Sequence, residues 1–363
     1  MTHTPNVGRR GTLTLRYWRS VVIGCFLPFV VVAQSPYPAV LKVRAEFRQL
    51  LERPKAALDP KSTISEDGPF FIERGSFASE PGERVPFVLI RAKKSDGKSP
   101  VVIALHGTGG NKEGQLPLLR ELAQRGFVGV AIDGRYHGER VSGGATKSDN
   151  YQEAIIRAWR EKDPARQEHP FFYDTAWDLW RTVDFLEKRP EVDRNRIGVI
   201  GFSKGGIESW LGASIDERIK VVIPAIAVQS FRWSLENDRW QGRARTISGS
   251  HEAAREDLGE KEVNQNVCRQ LWAKVIPGIL DKFDCPSMIR LLAPRPLLIL
   301  SGENDPNCPL PGAQIAFSAA EAAYKEAGAM DRLKINVAAG VGHKVTEEQR
   351  LMAISWFERW LKN

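Results

Sequence analysis

The fold is decided by one stretch of sequence, Arg196-Ile-Gly-Val-Ile-Gly-Phe-Ser-Lys-Gly-Gly-Ile-Glu-Ser-Trp210. The apolar run at 197–200 predicts a buried strand, and the residues after the glycines can continue as a helix. Strand, G-x-S-x-G motif and helix in this order are typical of a nucleophile elbow, a tight turn that projects the hydroxyl of Ser203. Side chains at Gly201 and Gly205 would collide with the neighbouring strand and helix. The alternative is an ordinary glycine-rich turn.

Length and composition indicate a globular α/β protein. The chain has 363 residues, of which 42% are hydrophobic and 26% charged, which is enough for one large domain or two smaller ones. Four of the basic residues lie in an N-terminal segment without acidic residues, so removing them reduces the formal net charge of +8 to +4. No run of Lys and Arg is interleaved with aromatic residues, and we therefore expect no nucleic-acid partner.

Residues 1–33 resemble a cleavable export signal. A basic start is followed by an apolar run over 21–33 that is short for a bilayer span, and Val31-Val32-Ala33 fits the small-residue rule for cleavage before Gln34. We therefore expect a secreted or periplasmic protein with no stable membrane insertion after signal removal. The alternatives are a twin-arginine signal at Arg9-Arg10, a lipoprotein signal at Cys25, and a membrane anchor formed by an uncleaved N-terminus.

Three cysteines remain if the signal is removed, Cys268, Cys285 and Cys308. An odd number leaves at least one free thiol. A bridge between Cys268 and Cys285 is plausible in an oxidising compartment. Because neither a C-x-x-C motif nor a histidine-rich cluster is present, we expect no metal site, and no organic cofactor is needed for the chemistry inferred below.

The rest of the chain divides into an N-terminal extension at 34–84 and a domain at 85–363. In the extension we expect an amphipathic helix from Val40 to Leu51 and a loop from Arg53 to Gly68. Strands at 70–74 and 85–90 are expected to be antiparallel. Later strands alternate with helices, which predicts a mostly parallel sheet of about eight strands flanked by helices; these strands lie at 101–105, 127–132, 197–200, 221–226, 296–300 and 333–337.

Residues 227–290 interrupt this alternation. They combine several tryptophan and phenylalanine residues with a strongly charged background. We expect a helical insertion, or lid, between the sixth and seventh strands. Its aromatic residues either line a substrate pocket or form the core of the insertion, and both interpretations remain open at this stage.

A serine nucleophile needs a histidine base and a carboxylate that orients the histidine. In a fold of this type both follow later strands, in the order serine, acid, histidine. Asp305 follows the strand that ends at Leu300, and His343 follows the last strand. We therefore predict Ser203, Asp305 and His343 as the catalytic residues. Glu303, on the same loop as Asp305, is the rival acid and could instead make a loop contact.

Two backbone N–H groups are needed to bind the oxyanion. One is the amide of Lys204, directly after the nucleophile. The other comes from the glycine-rich loop at 106–110, with Thr108 as the first choice and Gly109 as the second. We expect the Lys204 side chain to be solvated at the start of its helix, and contact with an anionic substrate is the alternative. For the segment 133–140 we favour buried salt bridges over contact with substrate.

Four motifs together resemble the α/β-hydrolase superfamily: His106 to Gly110, Gly201 to Gly205, Gly302 to Pro306, and Gly342-His343. The stretches 133–138 and 192–198 are similar to the branch that contains dienelactone hydrolases, acetyl xylan esterases with cephalosporin deacetylase activity, and prolyl-oligopeptidase-type domains. Ser203 departs from the cysteine nucleophile typical of dienelactone hydrolases. No propeller-sized domain precedes residue 85. The acetyl esterases are therefore the better guide.

This resemblance implies an α/β-hydrolase fold and a serine carboxylesterase. Such an enzyme cleaves carboxylic esters with small or medium acyl groups through an acyl-enzyme intermediate, so the expected partner is a small-molecule ester. The alternatives are a peptidase or amidase of the prolyl-oligopeptidase type and a catalytically silent binding protein on the same fold.

Overall fold

The computed structural model describes residues 40–94, 97–141 and 147–362. The signal expected at 1–33, with Arg9-Arg10 and Cys25, lies outside the described residues. Within them, no helix has both the length and the apolar character that a membrane span requires.

Nine strands form one sheet in the order β1-β2-β3-β5-β4-β6-β7-β8-β9. The first three strands are antiparallel, β3 pairs with β5 in antiparallel fashion, and the remaining pairs are parallel. The strands are β1 (Lys61–Asp67), β2 (Phe70–Glu80), β3 (Glu83–Ala92), β4 (Ser99–Leu105), β5 (Val128–Ile132), β6 (Val192–Phe202), β7 (Ile219–Ala225), β8 (Leu297–Gly302) and β9 (Leu333–Ala338). The mostly parallel α/β sheet predicted from the sequence is confirmed.

Helices cover both faces of the sheet. They are α1 (Val40–Leu51), α2 (Leu116–Gln124), α3 (Lys147–Arg160), α4 (Tyr173–Leu186), α5 (Lys204–Ile215), α6 (Phe231–Glu236), α7 (Gln241–Arg245), α8 (Ser248–Leu258), α9 (Gln265–Val275), α10 (Cys285–Ile289), α11 (Leu310–Glu326) and α12 (Glu347–Leu361). Side chains of α2 and α12 share one core with the sheet, and those of the other packed helices share a second core on the opposite face. The central parallel strands are therefore buried on both faces, which explains their continuous apolar sequences.

Residues 61–67 differ from the prediction made from the sequence, which was wrong here. They were expected to belong to a loop, but they form the edge strand β1, paired with β2 from Lys61 to Asp67. Every residue of β1 is exposed, so the strand carries no alternating apolar pattern. This additional strand brings the sheet to nine strands rather than about eight. The helix expected from Val40 to Leu51 is confirmed as α1.

The residues at 227–290 hold five short helices, α6 to α10, between β7 and β8. These are the strands that the sequence analysis counted as sixth and seventh. Phe231 and Trp272 are fully buried and pack edge to face, with ring centroids 5.8 Å apart. This aromatic pair therefore belongs to the core beneath the inserted helices.

The parallel strands bring their carboxyl ends to one edge of the sheet. At that edge the loop at 106–110 follows β4, Ser203 follows β6, the loop at 303–308 follows β8, and His343 follows β9. Because β4 neighbours β6 and β8 neighbours β9, residues that are far apart in sequence meet there.

Candidate active site

Ser203 lies in a sharp turn between β6 and α5. Its backbone has φ 52° and ψ −112°, a conformation that residues with side chains rarely adopt. A Cβ atom added to Gly201 would collide with the carbonyl oxygen of Gly205, and one added to Gly205 would collide with the end of β4. The turn therefore needs both glycines of the G-x-S-x-G motif, for the steric reason inferred from the sequence.

Ser203, His343 and Asp305 form one continuous hydrogen-bonded arrangement. The Ser203 Oγ atom lies 2.8 Å from Nε2 of His343, and Nδ1 of His343 lies 2.8 Å from Oδ2 of Asp305. In the tautomer that suits both contacts, the imidazole donates from Nδ1 and accepts at Nε2. The His343 side chain is 22% exposed and that of Asp305 is 1% exposed. The histidine is therefore partly accessible to solvent, whereas the carboxylate is buried.

The loop after β8 fixes the carboxylate of Asp305. Its second oxygen, Oδ1, accepts the backbone N–H groups of Asn307 at 2.8 Å and Cys308 at 3.1 Å. Glu303, the rival acid, points elsewhere and accepts the backbone N–H of Gly340 at 2.7 Å. Of the two acids considered, only Asp305 contacts the histidine, and Glu303 makes the loop contact that was its alternative role.

The glycine-rich loop after β4 lies directly against the nucleophile. A Cβ atom added to Gly107 would be 3.6 Å from Cβ of Ser203. The loop closes with a hydrogen bond from the N–H of Gly110 to the carbonyl of Gly107 at 3.0 Å, and Gly109 has φ +75°. Thr108 and Gly109 therefore occupy the tip of a tight turn beside Ser203. Lys204 begins α5, so its N–H has no acceptor within the helix.

The side chain of Lys204 is not solvated, which corrects the sequence-based expectation. It is completely buried, and its Nζ lies 2.5 Å from Oε1 of Glu208, which is 1% exposed. Tyr151 of α3 covers the pair, with its ring centroid 5.6 Å from Nζ. Burial raises the pKa of Glu208 to about 7, against the opposing attraction of Lys204. Glu208 already lies against the ammonium group of Lys204, which disfavours the alternative role, contact with an anionic substrate.

Glu208 was not among the residues predicted from the sequence. The available signal was its spacing, since an acid four residues after a lysine lies on the same face of a helix. In most surface helices this pattern marks a solvated ion pair. In this chain α5 packs against α4 and against the central strand β7. The ion pair is therefore buried instead of solvated.

The segment 133–140 makes buried salt bridges, as predicted. Asp133 pairs with Lys112 at 3.0 Å, and both side chains are at most 2% exposed. Asp178 of α4 is shared by Arg135 at 3.0 Å and Arg140 at 2.6 Å. These contacts join the loop after β5 to α4 and hold it in shape below the site.

His106 connects two of the loops at this edge. Its Nε2 accepts the backbone N–H of Gly134 at 3.0 Å. Nδ1 lies 2.8 Å from the carbonyl of Gly107. The imidazole therefore ties the loop after β4 to the loop after β5. This is a positioning role that sequence order alone did not reveal.

Comparison with known proteins identifies the family. The model of the dienelactone hydrolase family matches residues 87–273. This range covers more than half of the chain and includes the elbow. The chain belongs to the dienelactone hydrolase family.

Curated relatives of this family member include the Bacillus subtilis protein YtaP, which is named as a hydrolase. It is 24% identical over 77% of this chain and 84% of its own length. The 4-O-methyl-glucuronoyl methylesterase 1 of Sodiomyces alcalophilus is 25% identical over 46% of this chain and 33% of its own.

Solved structures share the fold at lower sequence identity. The acetyl xylan esterase from Paenibacillus sp. R4 has a TM-score of 0.62 and 21% identity, covering 89% of this chain and 93% of that one. Methylesterase BT1017 has a TM-score of 0.63 and 18% identity, covering 88% of this chain and 63% of that one. The α/β-hydrolase fold inferred from the motifs is thereby confirmed.

In this dienelactone hydrolase family member the three cysteines of the described residues are free and buried. The bridge between Cys268 and Cys285, which the sequence made plausible, is therefore absent. Burial raises the pKa of Cys268 to about 12 and that of Cys308 to about 12. These thiols therefore behave as small apolar groups of the core.

We expect Asp178→Asn to destabilise the protein by about 3–5 kcal/mol at pH 7, because Arg135 and Arg140 would lose their shared buried carboxylate. Burial by itself raises the pKa of Asp178, but the two arginine charges outweigh burial and lower it. The carboxylate therefore stabilises the fold above an unfolded-state pKa of about 4, and this stabilisation is lost as the pH falls toward the folded-state pKa. Urea unfolding of the variant and of the wild type between pH 7 and pH 3 should show that the difference between their free energies of unfolding narrows as the pH falls.

The matched control for this experiment is Asp257→Asn. Asp257 pairs with Arg160 at the surface, where both side chains are at least 34% exposed. Exposed pairs contribute about 0–1 kcal/mol, so the control should unfold almost like the wild type. A destabilisation by Asp178→Asn that is the same at every pH would contradict the electrostatic explanation.

Proposed function

We propose that this protein is a serine carboxylesterase that cleaves carboxylic esters with small or medium acyl groups. The observation that carries the proposal is the contact of 2.8 Å between Ser203 Oγ and His343 Nε2 on a strained turn, with Asp305 bound to the other imidazole nitrogen. The nucleophile is thus within hydrogen-bond reach of the base, and the base within reach of the orienting acid, as acyl transfer requires.

Each group has a defined role in the proposed reaction. Ser203 attacks the ester carbonyl while His343 takes its proton. His343 then returns the proton to the departing alcohol, and Asp305 holds the imidazole and stabilises its charged form. The N–H groups of Lys204 and Thr108 bind the oxyanion. Gly109 is the second choice for the donor on the loop at 106–110. Water finally cleaves the acyl-enzyme.

The names of the similar proteins favour ester over amide substrates. Acetyl xylan esterase and 4-O-methyl-glucuronoyl methylesterase both act on esters by name. We therefore place small ester molecules ahead of peptides as substrates of this chain.

The proposed organisation of the chain follows the sequence analysis. Residues 1–33 are an export signal, so the protein is secreted or periplasmic. Residues 34–84 extend a catalytic domain at 85–363. The helices at 227–290 act as a lid beside the site and set the size of the acyl or alcohol group it accepts.

The function is tested by comparing esters with matched amides. We expect 4-nitrophenyl acetate and butyrate to be hydrolysed with a kcat/KM at least about 100-fold higher than the corresponding 4-nitroanilides. A fluorophosphonate probe should label the purified chain at Ser203. Faster turnover of the anilides would assign a peptidase or amidase instead, and the absence of both turnover and labelling would indicate a catalytically silent protein.

A further inference from the structure

Strand β1 is an open edge of the sheet. It pairs with β2 on one side, and no other strand of the described residues pairs with it on the other side. All seven of its residues are exposed, including the apolar Ile64, which is 58% exposed. The backbone N–H and C=O groups on the outer side of β1 are therefore available to a further strand.

Close contacts with neighbouring residues hold β1 in this position. Its pairing with β2 continues without a bulge over Lys61–Asp67. A Cβ atom added to Gly75 of β2 would lie 2.2 Å from the carbonyl oxygen of Lys61, so β1 packs closely on β2 at this glycine. Just before the strand, Nη2 of Arg84 donates to the carbonyl of Asp59 at 2.7 Å. The edge is therefore a regular strand that could serve as a template for pairing.

The sequence of β1 lacks several of the usual protections of an open edge. Proteins often block further pairing with a very short strand, a proline or a bulge. β1 has seven residues, no proline and a regular register with β2. Its charged residues lie toward the two ends and differ in sign, with Lys61 at the start and Glu66 and Asp67 at the finish. Two copies of β1 in parallel orientation would place like charges together, whereas antiparallel copies would place opposite charges together.

Antiparallel pairing of two copies centred on Ile64 uses the whole strand. Lys61 of each copy then lies opposite Asp67 of the other copy, and the two Ile64 side chains lie opposite each other. A register shifted by two residues would separate Lys61 from Asp67. The remaining opposite pairs are Ser62 with Glu66 and Thr63 with Ser65. No two like charges therefore lie opposite each other in the centred register.

We propose that the outer edge of β1 binds β1 of a second copy of this chain, in antiparallel orientation and centred on Ile64. About six to eight backbone hydrogen bonds would join the two strands, depending on which alternate residues direct their N–H and C=O groups outward. The nine-stranded sheets of the two copies would continue into each other. This interface does not depend on the proposed esterase function.

The existing partners of the end charges are compatible with this pairing. Nζ of Lys61 lies 3.3 Å from Oδ2 of Asp59, and Asp67 pairs with Arg120. Both ion pairs are at the surface, where such pairs contribute little and can rearrange. Each end of the paired strands would bring together two basic and two acidic side chains, so the charges at each end balance.

The proposed interface lies away from the candidate active site. Four strands, β2, β3, β5 and β4, separate β1 from β6, which ends at the turn that carries Ser203. At about 4.8 Å between neighbouring strands, this separation is about 24 Å across the sheet. Each copy therefore keeps its own complete site. Because the two-fold axis is perpendicular to the sheet, the two sites would open at opposite edges of the joined sheets.

The affinity of the dimer is expected to be modest. Stable interfaces bury about 1,200–2,000 Å² in total, and the pairing of two seven-residue strands buries less. We therefore expect a reversible dimer with a Kd of about 1–100 μM. Sedimentation velocity of the purified chain between about 1 and about 500 μM should show the sedimentation coefficient rise from that of a monomer to that of a dimer.

Reversal of the end charges tests the register. In Lys61→Glu two acidic side chains lie opposite each other at both ends of the pairing, and in Asp67→Lys two basic side chains do. We expect the Kd of each variant to be about 10-fold higher or more than that of the wild type. An equimolar mixture of the two variants should dimerise like the wild type, because every end contact then joins opposite charges.

The matched control is Lys334→Glu on β9, the strand at the other edge of the sheet. Lys334 is exposed, so this variant makes the same charge change on an edge strand outside the proposed interface. It should leave the Kd of the dimer unchanged. Thermal unfolding monitored by circular dichroism checks that each variant is folded.

Amide hydrogen exchange provides a second measurement that needs no variant. Exchange of the wild-type peptide that contains residues 61–67 should slow as the protein concentration rises through the Kd, whereas exchange of the peptide that contains β9 should not change. The proposal is overturned if the wild type remains a monomer at about 500 μM. It is also overturned if the mixed variants fail to restore the dimer, or if Lys334→Glu weakens the dimer as much as Lys61→Glu.

Discussion

Replacing Ser203 with alanine is expected to lower kcat for 4-nitrophenyl acetate by about 10⁵-fold or more, to the level that binding and the oxyanion donors alone provide. The reason is that Oγ of Ser203 is the atom that His343 Nε2 contacts, at 2.8 Å. Initial rates of the purified variant beside the wild type measure the effect. Fluorophosphonate labelling should disappear together with activity.

Ser209→Ala is the matched control for this experiment. Ser209 lies on α5 and is fully buried, and its hydroxyl donates to the carbonyl of Gly206 rather than to the site. Its loss should change kcat by less than about 3-fold, since only a local hydrogen bond is removed. Equal activity of Ser203→Ala and the wild type would show that another residue is the nucleophile.

The second large effect is expected for Asp305→Asn, which should lower kcat by about 10⁴-fold with little change in KM. An amide at this position cannot stabilise the imidazolium and favours the wrong tautomer of His343. Because Oδ1 of Asp305 also accepts the N–H groups of Asn307 and Cys308, the amide must orient its oxygen toward them. Its NH₂ group would then face Nδ1 of the histidine.

Glu303→Gln is the control that separates the two acids of this loop. Glu303 accepts the N–H of Gly340 and has no contact with His343, so kcat should stay within about 3-fold of the wild type. If Glu303→Gln were the more damaging change, the assignment of the acid would have to be reversed.

The elbow and the alternation of strands and helices along the chain could be predicted because they depend on the local sequence. The apolar run at 197–200 predicts a buried strand. The turn at Ser203 is too tight for side chains at Gly201 and Gly205. Parallel topology then brings the residues after β8 and β9 to the edge where Ser203 lies. Asp305 and His343 follow from that topology and from their order in the chain.

Features that depend on tertiary surroundings could not be predicted in the same way. The edge strand β1 forms because β2 offers it backbone partners, and its own side chains contribute no apolar pattern. The position of Lys204 at a helix start suggested solvent, but packing of Tyr151 encloses it. The burial of Arg243 on α7 became visible only with its neighbours in place, because an arginine in a charged segment gives no signal of burial.

The backbone of Ser203 has a further consequence. A non-glycine residue in a rarely populated conformation of this kind costs about 1–3 kcal/mol, and every folded molecule bears this cost whether or not a substrate is bound. The reactive geometry is therefore prepared once, during folding, and does not have to be assembled at each turnover. Selection for a more durable protein and selection for a faster one oppose each other at this residue. In the proposed enzyme, the strained backbone of Ser203 lowers the stability of the fold and keeps the nucleophile in its reactive position.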